Sequence, residues 1–278
     1  DPHTPFISTS PLMGMGHGHY VFRDPDTGEE VFSSMLRAHQ TAYTEFGMPG
    51  PSSAEILETI IPENELWPPR PGHSWESHHA FNAWVGDAWL MMDMIEDYFG
   101  RMANLEELVE MGQLLQGEGY KAIYEEARRQ KPYCSMALNW CYNEPWPTAA
   151  NNSIINWPNR PKPAFYAVRD ACRPVMASAR NYKLSWSREE QFSTQLWMLN
   201  DRYEHVEPGL LRATLMAGNK IMELGSWEFG TLKANTNLEG PVLKAVLPRW
   251  ASGGFILHLE VVGHPEYSSE YTFLLSDK

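Results

Sequence analysis

The feature that most constrains this fold is a change in hydrophobic period partway along the chain. Phe192, Thr194, Leu196 and Met198 alternate with Ser193, Gln195, Trp197 and Leu199. Successive side chains of a strand point to opposite faces, so a period of two fits a sheet and excludes an amphipathic helix. The runs 210–217, 242–247, 255–262 and 271–275 look similar, and Gly218-Asn219, Gly240-Pro241 and Gly253-Gly254 supply turn residues between several of them. About seven short strands in roughly 95 residues predict an immunoglobulin-like β-sandwich over residues 180–278.

Residues 1–175 have a different texture. Pro5 to Ser10 reads as a short strand, followed by a loop holding Gly14, Gly16 and Gly18. A short helix is expected over Ser34 to His39, and a second short strand over Ala42 to Gly47, breaking at the glycine. Residues 48–75 are rich in proline and form a long excursion, of the kind that covers or builds a site. Phe81, Trp84, Val85, Ala88, Met92, Ile95 and Phe99 recur at three- and four-residue steps, which predicts one helix ending at Gly100. Asn104 caps a second helix, with Glu107 completing a capping box and Leu105, Leu108, Val109, Leu115 and Ile123 on its apolar face. Tyr133 to Leu138 reads as a buried strand and Pro163 to Cys172 as a helix. Strand, helices, strand and helix follow the grammar of an α/β barrel. A complete barrel takes about 250 residues, so residues 1–175 read as the C-terminal portion of a (β/α)8 barrel. Pro174 ends the last helical pattern and sets the boundary between Cys172 and Trp186.

Charge excludes some partners. The net charge is -13, with 35 acidic residues against 22 basic ones, the reverse of a nucleic-acid binder. The one basic cluster, Arg128-Arg129-Gln130-Lys131, follows Glu125 and Glu126. A neutral substrate suits such a chain better than a phosphorylated one. Asp87, Asp93, Glu96 and Asp97 interrupt the richest apolar run, so no membrane partner is expected. Cys134, Cys141 and Cys172 are odd in number and lack metal-knuckle spacing, so neither a disulfide framework nor a metal or other cofactor is expected.

Glu45 stands at the end of a short strand, before Gly47. In a parallel barrel the strand C-terminal ends line the active site, where a carboxylate can attack an anomeric carbon. The bland alternative is a surface glutamate beside a turn. Its surroundings carry more information. Thr44-Glu45-Phe46-Gly47 followed by Pro51-Ser52-Ser53 resembles the nucleophile segment of the β-mannosidase-like enzymes of glycoside hydrolase family 2. The helix from Asn104, with Gln113 and Gln116 and ending Glu126-Ala127-Arg128-Arg129, resembles the helix before their eighth strand. Asn139-Trp140-Cys141-Tyr142-Asn143-Glu144-Pro145-Trp146-Pro147 resembles their eighth-strand motif, and Lys162-Pro163-Ala164-Phe165-Tyr166 the start of their closing helix. Together these cover nearly the whole chain in the right order. Two positions depart from the pattern: Glu144 where Asp is common, and Cys141 where Gln is common. Both bear on the sugar more than on the reaction class.

The resemblance implies a retaining glycosidase of the β-mannosidase or β-galactosidase kind acting on a β-linked glycoside, with Glu45 as nucleophile. It implies that His19, in the His19-Tyr20 pair, lines the sugar site, with His17 as a neighbouring candidate. Trp140 becomes a sugar platform rather than core packing. Asn143 and Glu144 either bind hydroxyls or brace the loop. Trp67, Trp75 and Trp84 are further candidates from the excursion. Retaining enzymes need two carboxyl groups about 5–5.5 Å apart. In the family the acid/base is a Glu after an Asn at the fourth strand, and no segment here matches it. The expected partner is therefore an upstream barrel segment of the same polypeptide, and the chain alone is expected to be inactive. Family habit points to polysaccharide handled outside the cytoplasm, periplasmic or secreted. The competing readings are a non-catalytic carbohydrate-binding module using Trp140 and Trp146, and a structural domain that mediates assembly.

Overall fold

The computed structural model describes residues 1–12, 14–82, 89–188, 190–251 and 253–276. The chain divides into two compact units, Asp1–Ala127 with Tyr133–Arg169, and Arg128–Pro132 with Asp170–Lys278.

The first unit is built on three parallel strands, β1 (Met15–His17), β2 (Ala42–Phe46) and a third from further along the chain. Between them and after them run α1 (Val31–Arg37), β3 (Gly50–Pro51), α2 (Ala54–Ile60), α3 (Glu63–Leu66), α4 (Ser74–Ser77), α5 (Met92–Phe99) and α6 (Leu105–Arg129). The third sheet strand is β4 (Ala137–Asn139), and β2 lies between β1 and β4. Two short pairs, β3 with β5 (Ala150–Asn151) and β6 (Ile155–Asn156) with β7 (Arg160–Pro161), precede α7 (Pro163–Ala171).

Several sequence expectations are met here. The strand at residue 42, the capped helix after Asn104 and the helix from Pro163 all form. Asn104 Oδ1 accepts the Glu107 N–H at 2.9 Å, and the Glu107 carboxylate accepts the Ala103 N–H at 2.7 Å. Others are corrected. Pro5 to Ser10 is not a strand; the strand lies at Met15–His17, inside the glycine loop, where its side-chain pattern carries no apolar alternation. The helix read from residue 81 forms at Met92–Phe99, with Met91 left-handed at its start (φ 49°). Trp84, Val85 and Ala88 of that pattern lie outside the described residues. The strand read as buried over Tyr133 to Leu138 is Ala137–Asn139, and Tyr133, Met136 and Leu138 are exposed.

The long helix α6 carries Gly112 and Gly119 in its interior, each costing about 1 kcal/mol against alanine in an exposed helix. Close approach explains them. A Cβ on Gly112 would sit 2.6 Å from Pro51 Cδ, and one on Gly119 would sit 2.7 Å from Met48 Cε. The helix thus presses directly on the loop that follows Glu45.

The second unit holds β8 (Val175–Arg180), β9 (Ser185–Ser187), β10 (Gln191–Asn200), β11 (Gly209–Ala217), β12 (Lys220–Phe229), β13 (Asn237–Val246), β14 (Gly254–Val261) and β15 (Ser269–Ser276). One antiparallel sheet has the order β13-β10-β8, and the other β12-β11-β14-β15-β9, with only β9 parallel to its neighbour. Alternate residues of both sheets, among them Ala177, Phe192, Leu196, Leu215, Leu257 and Phe273, form one core. Phe192 meets Phe255 and Phe273 at ring separations of 5.3 Å. The alternation fades at Trp197–Asn200 because both faces are covered there: Met176, Trp197 and Leu199 form a second small cluster. Residues 128–132 bond to the same region, with Arg129 donating to Ala179 O at 2.9 Å and Lys131 to Asn200 O at 3.0 Å. Two strands escaped the reading, β8 and β12. β8 lies before residue 180 and is buried on nearly every residue. β12 is a sheet edge and stays exposed along most of its length.

Candidate active site

Glu45 is the fourth residue of β2, one before the strand ends, and its side chain is one-third exposed. The segment after β1 is laced to this strand end by the backbone. Gly18 N–H donates to Glu45 O at 2.9 Å, and Gly47 N–H to His19 O at 2.9 Å. On the other side, Trp140 N–H donates to Phe46 O at 2.7 Å. Three strand ends therefore bring His17, Tyr20, Glu45 and Trp140 together.

The Tyr20 hydroxyl donates to Glu45 Oε1. Burial, and then the carboxylate it faces, push the Tyr20 phenol well above its ordinary value, so it stays protonated as a donor. His17 Nε2 is 3.9 Å from Glu45 Oε2, and 3.1 Å from Ser10 Oγ, which donates to Thr44 Oγ1 at 2.7 Å. The Tyr20 ring meets Trp140 edge-on, with centroids 6.4 Å apart. Trp140 is 43% exposed. Burial raises the Cys141 thiol, and Glu45 and Glu144 reinforce the shift, so this residue is a neutral neighbour rather than a nucleophile.

His19 takes a different place. Its charged neighbours are Glu29, Asp24 and Arg37, and burial lowers its imidazole below the ordinary value despite the two acids. Gly18 lies between, at φ +90°, and this left-handed turn breaks the alternation that would pair His17 with His19. It is His17 and Tyr20 that reach Glu45. Tyr20 was visible in the sequence only as half of a pair. The turn at Gly18 decides which half faces the carboxylate.

Glu144 is corrected as a hydroxyl ligand. Its side chain has no exposure, and Lys162 Nζ, equally buried, lies 3.3 Å from Oε1. Ser153 Oγ (2.7 Å) and Asn156 Nδ2 (3.0 Å) also donate to Oε1, and Trp157 N–H (3.0 Å) donates to Oε2. Burial lowers the Lys162 ammonium from its ordinary value, and the Glu144 carboxylate opposes that shift. The pair braces two loops. Asn156 Nδ2 reaches Ser52 Oγ at 3.0 Å, and its Oδ1 accepts the Ser53 N–H at 3.1 Å. From α6, Gln116 donates to Met48 O, Asn151 O and Ser153 O, and Gln113 to Pro51 O. The segment after Glu45 is thereby clamped to the segment after Trp140. Asn143 is exposed beside them and pairs by a backbone bridge with Ile155.

Of the excursion tryptophans, Trp75 is buried, with its indole N–H on Glu65 O at 3.1 Å, and Trp84 lies outside the described residues. Trp67 is half-buried. Trp89, which no spacing argument singled out, meets Trp140 at 6.3 Å. Among the described residues no cluster of three or more His, Cys, Asp or Glu is disposed to hold a metal, and no helix is long and apolar enough to cross a membrane.

No family model matches the chain. β-Mannosidase B of Aspergillus flavus is 26% identical over 270 residues, covering 89% of this chain and 31% of that protein. The β-mannosidase B of Aspergillus oryzae is 27% identical over the same shares. The chain is homologous to part of the β-mannosidases. It spans about a third of the length of the curated relatives it matches, 31% in these two cases. Two solved structures share the fold. The β-D-mannosidase of Dictyoglomus thermophilum superposes with a TM-score of 0.66 over 87% of this chain and 28% of its own, at 21% identity. The exo-chitosanase of Amycolatopsis orientalis gives 0.52 over 84% of this chain and 27% of its own, at 17% identity. The alignment to the β-mannosidases runs through both units described above.

Proposed function

We propose that this chain is part of a retaining glycoside hydrolase acting on β-linked glycosides, β-mannosides first, with Glu45 as nucleophile. One observation carries the reading: a partly exposed carboxylate at a parallel strand end, held by the Tyr20 hydroxyl and flanked by the half-exposed indole of Trp140. Tyr20 fixes Oε1 and favours the ionised form, which leaves Oε2 to attack. Trp140 offers a flat apolar face to the C–H side of a pyranose.

In this mechanism Glu45 forms an ester bond to the anomeric carbon as the bond to the leaving oxygen breaks. That oxygen takes a proton from a second carboxyl group. Water then attacks the anomeric carbon, gives its proton to the same group, and frees Glu45. The acid/base is assigned outside these 278 residues. Glu144, the nearby carboxylate that also influences Cys141, is sealed in its ion pair and cannot serve.

In the same reading, residues 1–175 are the C-terminal portion of a (β/α)8 barrel and residues 180–278 an immunoglobulin-like sandwich. Exposed Phe6, Ile7, Met136 and Leu138 on the first unit support it, since apolar side chains flanking an open parallel sheet call for further barrel strands over them. The test is a 2-deoxy-2-fluoro-β-mannosyl fluoride, whose leaving group needs no proton. It should label Glu45 in the 278-residue chain, located by peptide mass spectrometry, and Glu45→Gln should stay unlabelled. Label on another residue refutes the nucleophile assignment. Turnover of an unactivated disaccharide by the chain alone would place a second carboxylate within it.

A further inference from the structure

The aromatic side chains around Trp140 do not stop at Glu45. Trp140 meets Trp89 at 6.3 Å, and Trp89 stacks on His79 at 5.4 Å with their planes 26° apart. His79 meets the edge of Trp146 at 6.4 Å, and His78 stacks on Trp146 at 5.9 Å and 29°. Two half-exposed indoles, Trp140 at 43% and Trp146 at 41%, are thus joined through a floor of a buried indole, Trp89 at 4%, and an imidazole. The row is held by more than ring contacts. His78 Nδ1 lies 2.9 Å from Pro147 O and His79 Nδ1 3.4 Å from Ala150 O. A carbonyl only accepts, so each neutral imidazole carries its proton on Nδ1 and presents Nε2 as an acceptor. Ala149 N–H donates to His78 O at 2.6 Å, which ties the histidine pair to the segment after Trp146.

From this row we infer that Trp146, with His78 at its rim, is a second sugar platform, which binds a pyranose on the aglycone side of the ring held at Trp140. The ligand class is a neutral β-linked oligosaccharide of at least two residues. A flat indole takes the apolar face of the second sugar. His78 Nε2 accepts from one of its hydroxyls. The net charge of -13 disfavours an anionic occupant and leaves a neutral one unpenalised. The inference rests on the glycosidase reading, and it extends that reading from one sugar to two.

Calorimetric titration of the 278-residue chain separates the two. Methyl β-mannoside reports on the Trp140 end, and β-1,4-mannobiose and mannotriose report on the extension. The disaccharide should bind about tenfold more tightly than the methyl glycoside, about 1.4 kcal/mol. Trp146→Ala should abolish that increment and leave methyl β-mannoside binding unchanged, whereas Trp146→Phe, which keeps a ring, should retain most of it. Trp140→Ala should weaken both ligands. The Trp146 indole N–H should shift in nuclear magnetic resonance spectra with mannobiose and not with the methyl glycoside. Equal affinity for one and two sugars, or an increment that survives Trp146→Ala, overturns the platform and leaves the glycosidase reading standing. Binding of neither ligand overturns both.

Discussion

Replacing Lys162 by methionine removes the ammonium that faces Glu144 at 3.3 Å and leaves a carboxylate of zero exposure among neutral donors. Methionine matches the lysine stem in length and flexibility, so the perturbation is mainly electrical. Removing one partner of a buried ion pair typically costs about 3–5 kcal/mol, because the remaining charge is desolvated without compensation. Here the lower end is expected, since Ser153, Asn156 and the Trp157 N–H still hold the carboxylate. A loss of about 3 kcal/mol corresponds to a fall of about 6–12 °C in the melting temperature of a unit this size. Thermal and urea unfolding followed by tryptophan fluorescence would measure it. The double variant Glu144→Gln with Lys162→Met should lose clearly less than the sum of the singles, with a coupling of about 2 kcal/mol. A Lys162→Met cost under about 0.5 kcal/mol, the range of surface substitutions, would refute the reasoning, as would strict additivity. The pair joins the Ser52 segment to the Trp140–Trp157 loop, so the same variant should also slow labelling of Glu45 by the fluorosugar.

Three other outcomes are expected. Tyr20→Phe removes the donor to Glu45 Oε1 and should slow labelling by about tenfold to a hundredfold, matching a hydrogen bond to a charged group of about 1.5–3 kcal/mol, with circular dichroism unchanged; an unchanged rate sinks the orienting role. Gly112→Ala raises helix propensity but places a methyl 2.6 Å from Pro51 Cδ, so unfolding assays should give a loss of about 1–3 kcal/mol rather than a gain, and a raised melting temperature would contradict the close packing. Burial lowers the His19 imidazole, so below the model value of 6.5 the unfolded chain binds a proton that the folded chain refuses. Stability should fall as pH drops below that value, until the folded imidazole also titrates, and His19→Gln should flatten this part of the urea-midpoint profile; identical profiles would show His19 to be solvated.

The sequence by itself determined the elements whose signal is local. The period of two in the second unit survives into β10, β11, β14 and β15 because each has one face in the common core. Asn104 and Glu107 announce the start of α6, since capping is settled by residues three apart. Glu45 at a strand end and Trp140 in the later motif were legible from residue order, and the structure brings both to adjacent strand ends. Tertiary structure alone decided the rest. The left-handed turn at Gly18 sends Tyr20, not His19, to Glu45, a choice that alternation cannot foresee. Glu144 is indistinguishable in sequence from a sugar ligand until Lys162, eighteen positions on, is folded against it in a site without water. The glycines of α6 read as weak helix formers until the loop after Glu45 packs on them. The ring row through Trp89, His79 and Trp146 has no periodicity at all, because its members come from separate loops and meet only when those loops are folded together.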